Sequence, residues 1–481
     1  MNELNDATHR FILLHRTENV RELALRGCRD GEVELREALV QIAGWQQART
    51  KLPRWAATEG LLYPPHLSLE QCSSELTALY KRTIIARKGS ADDHDDRCRG
   101  GITSALSTGV SESVCRQDLG DASVASRPGS LTDLTGGLGI DFSMLAPLFA
   151  SATYVERQEL LCGLAEHNFP LLGLKDCRIC RADGVEHLRA MEETVDWIYL
   201  DPARRNPQGG KVIAIADCEP DAAQLEPLLL QKSRHVMLKL SPMLDLSRAL
   251  QELHSVEQAY VVAADGECKE LLLLLGHQPP QRKEEVPITC VNLRSVRHTQ
   301  CLSGPPQGEA QGQPLGKAGE RILDKAEEYI LDKAEEFTFC RVEEQQAPLQ
   351  LAQEPMAYLY EPHAALLKAG AYCLLTQRYP VKKLHPNSHL YTSTEPLREF
   401  PGRRFRITGW STFGKKELKP LLTDLKSANL TVRNFPLTPD ALRRKLKLTD
   451  GGPTTLFATT LQGEKHILIK AEPLIKAEPL S

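Results

Sequence analysis

Residues 131–142 read LTDLTGGLGIDF, and this stretch decides the fold. A short apolar run closes on Asp133. Gly136, Gly137 and Gly139 follow Thr135, and Ile140-Asp141-Phe142 opens a helical pattern. Glycines at such a junction let the backbone approach a ligand closely, and the helix start offers free N–H groups. Open α/β sheets bind ligands at the carboxyl ends of their strands, which is where this loop falls. A dinucleotide fingerprint would need a third glycine at position 142. Phe142 stands there, so that fingerprint fails.

Outward from this loop, residues 130–277 alternate short apolar strands with helical stretches. SLTDLT, ATYVE, CRICRAD, VDWIYLDP, HVMLKLSP and QAYVVAAD are the expected strands. Such alternation predicts an α/β fold, a mostly parallel, doubly wound sheet covered on both faces. Acidic residues stand at successive strand ends. Glu156, followed by Arg157, ends TYVE, where a carboxylate can accept hydrogen bonds from two ribose hydroxyls. Asp183-Gly184 follows the third strand, where a carboxylate could receive an adenine amino group. Asp201-Pro202 follows WIYL. Any one of these acids could equally be a helix cap or turn residue. The ordered series of Asp133, Glu156, Asp183 and Asp201 is what points to a nucleoside-bearing ligand.

Residues 1–87 read as helical, with ELREALVQIAGWQQARTKL and LSLEQCSSELTALYKRTII as helices and Ser68, with Gln71 three residues on, as the cap of the second. Residues 88–129 are rich in Gly, Ser and Asp without a sustained period, the pattern of a flexible linker or insertion. Residues 303–337 read as an inserted repeat segment. ILDKAEEY at 322–329 is followed directly by ILDKAEEF, a duplication expected to form a surface helix. IKAEPL is likewise repeated at 469–474 and 475–480. Residues 338–481 have strand-like RRFRITGW and TLFATT and a basic helix at PDALRRKLKL, the pattern of an α+β module.

The 481-residue chain has ordinary globular composition, with 41% hydrophobic residues. It shows no apolar leader and no run long enough to span a bilayer, so a cytoplasmic protein without membrane contact is expected. LLLLLG at 271–276 reads as a buried strand. The 13 cysteines are scattered. Only Cys177 and Cys180 have CxxC spacing, and no second pair follows, so reduced thiols and no metal are expected. Net charge is −4, yet twelve Lys/Arg against three Asp/Glu lie between Arg403 and Lys447. Such asymmetry marks either a solvated basic face or a nucleic-acid-facing module.

The series Asp-x-Thr-Gly-Gly-x-Gly, strand-end Glu, Asp-Gly and Asp-Pro-x-Arg resembles a class I S-adenosylmethionine (SAM)-dependent methyltransferase. More narrowly, the chain is similar to a bacterial family of such proteins with a C-terminal THUMP-like domain. KLPRWAATEGLLYPPHLSLEQCSSELTALYK, DLTGGLGIDF, YVERQELLCGLAEHNFPLLG, LDPARRN, GGKVIAIADCEPD, VMLKLSPMLD, ECKELLLLL and KLHPNSHLYTS carry the likeness. The resemblance implies a Rossmann-like, SAM-binding methyltransferase domain over 130–302 and a THUMP-like basic module over 338–481. It places Asp133, Gly136, Gly137 and Gly139 beside the methionine part of SAM, with Thr135 and Asp141 also among the cofactor-binding residues. Glu156 would lie at the ribose and Asp183 near adenine, with Arg157 and Gly184 also among the cofactor-binding residues. Asp201, Pro202 and Ala203 would border the site of methyl transfer, with Arg204 beside them.

Amino-group methyltransferases carry Asn/Asp-Pro-Pro-Tyr/Phe, whose oxygens align the target nitrogen for in-line attack. Asp201 and Pro202 fit this motif, but Arg204 replaces the aromatic residue and could instead hold a phosphate or carboxylate. Uridine C5 methyltransferases need a cysteine nucleophile after the next strand. That segment here has Leu240 and Ser241, and Cys268 comes only later, in GECKE. Nitrogen or oxygen attack is therefore favoured. Lys239 could face the crevice or lie at a surface strand end. Arg403, Arg404, Arg406, Lys415, Lys416, Arg443, Arg444 and Lys445, interleaved with Phe405, Trp410 and Phe413, suggest RNA as the partner. The alternatives are a non-catalytic RNA- or SAM-binding protein, or a methyltransferase for a protein or small acidic molecule.

Overall fold

The computed structural model describes residues 4–28, 30–64, 72–99, 129–204, 214–294, 334–423 and 425–474. Contacts divide the chain into two units. One comprises Met1–Val256, Leu272–Pro279 and Leu293–Ala334. The other comprises Glu257–Leu271, Pro280–Asn292 and Glu335–Ser481.

The first unit begins with α1 (Asp6–His15), α2 (Val20–Arg26), α3 (Leu35–Lys51) and α4 (Pro53–Ala57). Asn5 caps α1 by accepting the Thr8 N–H at 2.8 Å, and Asn19 caps α2. The next helix, α5, runs over Glu75–Arg99. Its start differs from the expected one. Ser74 accepts the Thr77 N–H at 3.2 Å and is the cap; Ser68 and Gln71 lie outside the described residues. Its end differs too, because the helix continues past residue 87. The stretch from Lys88 to Arg99 holds no proline and a single glycine, so nothing in it forces the backbone bonds to stop.

The sheet that follows has β1 (Ser130–Asp133), β2 (Ser151–Glu156), β3 (Arg178–Arg181) and β4 (Val195–Leu200). Between them stand α6 (Ile140–Leu145), α7 (Glu159–Leu171) and α8 (Gly184–Ala190). A short antiparallel pair, β5 (Ala203–Arg204) and β6 (Cys218–Glu219), precedes α9 (Ala222–Lys232) and β7 (Ser233–Leu240). The parallel order is β3-β2-β1-β4-β7. The mostly parallel α/β fold expected from the strand–helix alternation is thus present. β1 is flanked by β2 on one side and β4 on the other, so the winding reverses there. This switch point opens a crevice at the carboxyl ends of β1 and β4. Leu131, Ile198, Leu200, Val236, Met237 and Leu238 are buried, as strands covered on both faces require.

The N-terminal helices are stitched to this sheet layer. Asn168 of α7 exchanges two hydrogen bonds with the backbone of Leu62, each 2.9 Å, and His167 bonds to the Gly60 carbonyl at 2.8 Å. After α10 (Leu246–Glu252), β8 (Val256–Ala264) and β9 (Glu267–Leu275) follow. Leu271–Leu275 are all buried, so this run is the strand expected from its apolar sequence.

β10 (Ile288–Leu293) pairs antiparallel with β11 (Glu335–Phe339). The end of the second ILDKAEE octad is therefore strand, where a surface helix was expected. EEFTF alternates, and burial of Phe337 and Phe339 on one face outweighs the helix-favouring octad. Residues 322–333, which carry the rest of the duplication, lie outside the described residues. So does the second IKAEPL copy, whereas the first ends the last strand.

The second unit continues with α11 (Arg341–Gln346), β12 (Tyr358–Pro362), α12 (Ala364–Ala369), α13 (Leu375–Arg378), β13 (Lys382–Lys383) and β14 (Tyr391–Ser393). It closes with β15 (Gly402–Thr412), α14 (Lys415–Leu422), β16 (Asn429–Val432), α15 (Pro439–Leu446), β17 (Thr455–Leu461) and β18 (Lys465–Pro473). These strands form a seven-stranded sheet in the order β13-β14-β12-β15-β18-β17-β16, in which β16 and β17 run parallel. The α+β module expected from the sequence is present. Phe405, Phe457, Ile467 and Ile469 pack together on one face of the sheet, and Leu442, Leu456 and Leu468 under α15 on the other.

Among the described residues no helix is long and apolar enough to cross a membrane. Phe457 is fully buried and packs edge-to-face on Phe405 at 4.9 Å. Phe457→Ala is expected to destabilise the second unit by about 3–5 kcal/mol in denaturant unfolding, through lost burial and the cavity left behind.

Candidate functional site

The site grows from the turn after β1. Leu134 donates its N–H to the Tyr199 carbonyl at 3.1 Å and Gly136 donates to Val155 at 2.9 Å, so the loop is sewn to β4 and β2. A Cβ on Gly136 would stand 2.2 Å from the Tyr154 ring, closer than any side chain tolerates. Gly139 has φ +78°, and a Cβ there would meet Phe169 at 2.6 Å. Phe142, Tyr154 and Phe169 form an aromatic triad beneath the loop, with centroids 5.2–5.6 Å apart. The aromatic residue at position 142 thus supports the loop through packing.

Glu156 is buried at the end of β2 and holds two backbone groups. Its Oε2 accepts the Gly137 N–H at 2.9 Å, and its Oε1 accepts the Gln158 N–H at 2.8 Å. The Tyr154 hydroxyl closes the same turn on the Gly137 carbonyl at 2.5 Å. Asp133 is fully enclosed and accepts the Thr135 N–H at 2.9 Å. Burial pushes its carboxyl well above the usual range, and the nearby charges of Asp141, Asp201 and Glu156 push the same way. Four carboxylates from β1, α6, β2 and the end of β4 therefore converge on the glycine loop.

Asp201 is tied into this cluster from both sides. Its N–H donates to the Thr135 hydroxyl at 2.7 Å, and its Oδ2 accepts from Lys239 Nζ at 2.5 Å. Lys239 is thus largely enclosed between Asp201 and Asp141 and is not a surface lysine at a strand end. Pro202 is buried beside Asp201. The side chain of Arg204 lies outside the described residues; its backbone pairs with Cys218 in β5–β6. Asp183 caps α8, its Oδ1 accepting from Val185 at 2.9 Å and Glu186 at 3.2 Å. Gly184 touches the loop, since a Cβ there would fall 2.1 Å from the Leu134 carbonyl oxygen. Arg157 is exposed and reaches Glu219 at 3.3 Å.

Asp141 opens α6 and turns its carboxylate toward protein groups. Its Oδ2 accepts from the Ser73 hydroxyl at 2.7 Å and the Tyr199 hydroxyl at 2.8 Å. Lys81 of α5 lies 3.1 Å from Oδ1, and Lys239 3.7 Å from Oδ2. Burial alone would raise this carboxyl; the two lysines and the two hydroxyls outweigh it and hold it at about 2. Ser73 and Lys81 were not singled out from the sequence. The available signal was a lysine set inside the apolar run LTALYKRTII, where a solvated charge does not belong.

The basic residues of the second unit fall into two groups. Arg403 bonds to the buried Glu361 through Nε at 2.7 Å, and Arg433 joins the same carboxylate at 2.8 Å. Arg404 donates to the Leu397 carbonyl at 3.2 Å, and Arg443 pairs with Asp450 at 2.5 Å. Arg406, Lys416, Arg444, Lys445 and Lys447 are exposed, and Lys445 lies 5.8 Å over the Phe413 ring. The side chain of Lys415 lies outside the described residues. Cys268 is held at about 11 by burial, so its thiol stays protonated. The described cysteines are all free thiols, and among the described residues no group of three or more His, Cys, Asp or Glu could hold a metal.

Glu75, at the start of α5, accepts the Arg54 N–H at 2.8 Å. Burial raises its carboxyl to about 7, against the opposing pull of the Arg54 N–H and guanidinium. A carboxyl raised in the folded state contributes stability that is full below the unfolded value near ~4.3 and is lost as pH climbs through the folded value. Denaturant unfolding of the wild type should therefore show stability falling as pH rises toward about 7. Glu75→Gln, which keeps an acceptor for Arg54, should flatten that decline.

Comparison with known proteins bears on this arrangement. A ferredoxin-like domain family matches residues 358–401, and a THUMP domain-like family matches residues 402–473. A crystal structure of a candidate methyltransferase from Porphyromonas gingivalis W83 is 32% identical, covers 98% of both chains, and superposes with a TM-score of 0.73. A SAM-dependent methyltransferase from Agrobacterium tumefaciens is 19% identical over 32% of this chain and 57% of that one, with a TM-score of 0.25. An rRNA methylase from Streptococcus thermophilus is 13% identical over 32% of this chain and 89% of that one, also with a TM-score of 0.25. These two partial matches carry no weight for function. No curated protein matches the chain. With its glycine loop at the switch point and its relative matched from end to end, the chain belongs to the family of class I SAM-dependent methyltransferases with a C-terminal THUMP-like domain.

Proposed function

We propose that the protein transfers the methyl group of SAM to a nitrogen or oxygen atom of RNA. The observation that carries this reading is the convergence of Asp133, Glu156 and Asp201 on one glycine loop at the switch point of a parallel sheet. SAM supplies an electrophilic methyl group on a sulfonium. The residues present fit it. Glu156 keeps lone pairs beyond the two backbone bonds it accepts, enough to receive ribose hydroxyls. The loop Gly136–Gly139 brings bare backbone to the methionine end. Asp183 caps α8 through one oxygen and retains the other for a donor on the base.

Asp201 performs the positioning step. Lys239 fixes one of its oxygens, so the carboxylate is held in a single orientation at the mouth of the crevice. An acceptor N–H or O–H bonded to it presents its lone pair along the line of attack. Thiolate chemistry is disfavoured by the state of Cys72 and Cys268. Cys72, in the field of Asp141 and Lys239, is pushed up by burial, and Cys268 is pushed up to about 11. RNA is favoured as the partner by the exposed cations Arg406, Lys416, Arg444, Lys445 and Lys447, which lie on the same module as Trp410 and Phe413.

Titration calorimetry with the full chain is expected to show SAM binding, and Glu156→Ala is expected to lower affinity by at least about tenfold, since it removes ribose acceptors and frees the loop. Absence of binding by the wild type defeats the proposal. Transfer of tritiated methyl from SAM to RNA of a strain lacking the gene tests the acceptor. Label in protein or small molecules, with none in RNA, rejects RNA. Lys416→Ala/Arg444→Ala/Lys445→Ala is expected to weaken RNA binding and to reduce its salt dependence by about two to three ion equivalents.

A further inference from the structure

Lys81 lies far from the sheet in sequence, on a helix that precedes it, yet its side chain is wholly buried against the active-site loop. From it, charges alternate toward solvent. Lys81 Nζ is 3.1 Å from Asp141 Oδ1; Asp141 Oδ2 is 3.7 Å from Lys239 Nζ; Lys239 Nζ is 2.5 Å from Asp201 Oδ2. Exposure rises along the same path, from 0% at Lys81 through 10% and 11% to 35% at Asp201. Ser73 stands at the buried end, donating to Asp141 and receiving Lys81 at 3.2 Å.

Lys239 therefore sits between two carboxylates that compete for it. It lies closer to Asp201, while Asp141 has a second cation, Lys81, on its other oxygen. Removing that cation would leave a buried carboxylate with a single counter-charge. In a site of low polarity a buried carboxylate short of counter-charge is more costly than a half-exposed one. Lys239 would then turn inward to Asp141 and release Asp201.

We propose that Lys81 is a positioning residue for methyl transfer, acting through Asp141 and Lys239 to keep Asp201 oriented toward the acceptor. The inference rests on the methyltransferase reading of Asp201. It makes the N-terminal helices part of the acceptor site. Lys81 itself touches neither cofactor nor acceptor in this scheme.

The test is Lys81→Met, which keeps the length of the side chain and removes the charge. In a crystal structure of this variant the Lys239–Asp201 contact is expected to lengthen by more than about 1 Å while Lys239 closes to within about 3 Å of Asp141. Calorimetric SAM affinity is expected to stay within about threefold of wild type, and kcat on RNA to fall by at least about tenfold with KM little changed. Lys239→Met should show a similar loss, and Lys81→Met/Lys239→Met no more than Lys239→Met alone, because the two act in series. An unchanged Lys239–Asp201 contact, or additive losses in the double variant, overturns the inference. If Lys81→Met does not fold, Ser73→Ala carries the test. It keeps every charge and should lower kcat by at least about threefold at unchanged SAM affinity; unchanged kcat overturns the inference. Should the wild type fail to bind SAM, the methyltransferase reading falls, while the crystallographic contact still reports on the chain of charges separately.

Discussion

A carboxylate enclosed where α5, α6 and β4 meet must find partners inside the protein, and Asp141 finds four. Two hydroxyls and two ammonium groups surround it, drawn from the segment before α5, from α5 itself, from β4 and from β7. Desolvation on this scale opposes folding unless every partner is in place. The arrangement thus ties the N-terminal helices to the sheet by charge as well as by packing. It also sets the orientation of the glycine loop, since Asp141 stands in the first turn of the helix that this loop begins.

The glycine loop depends on that anchoring in a second way. Gly136 and Gly139 lie directly on Tyr154 and Phe169, so the loop has no freedom to relax if the aromatic triad shifts. Glu156 holds the same loop from the far side through Gly137. Aromatic floor, carboxylate clamp and buried ion network, with the backbone bonds to β4 and β2, together fix this short segment. Rigidity of this kind is what a site built for positioning requires.

Much of this was legible in the sequence because strands and strand ends carry local signals. WIYL followed by Asp-Pro and TYVE followed by Arg announced β4 and β2 with the acids at their ends. LTDLTGGLGIDF announced the loop, and RRFRITGW and TLFATT announced strands of the second unit. What could not be read was long-range pairing. Nothing in TALYKRTII names Asp141 as the partner of Lys81, because the two are joined only by the fold. The second octad misled for a related reason. Its composition favours helix, but Phe337 and Phe339 find a partner strand in β10, and tertiary pairing overrides local preference. The cap of α5 is Ser74, and Ser68 and Ser73 stand close enough in the sequence to compete for that place.

The division of the chain has a consequence for where it can be cut. Segments Glu257–Leu271 and Pro280–Asn292 belong with the C-terminal module, while Leu272–Pro279 between them belongs with the first unit. The two halves are therefore interleaved along the gene. The boundary at Leu271/Leu272 falls within β9, so a cut of the chain there leaves that strand in two pieces.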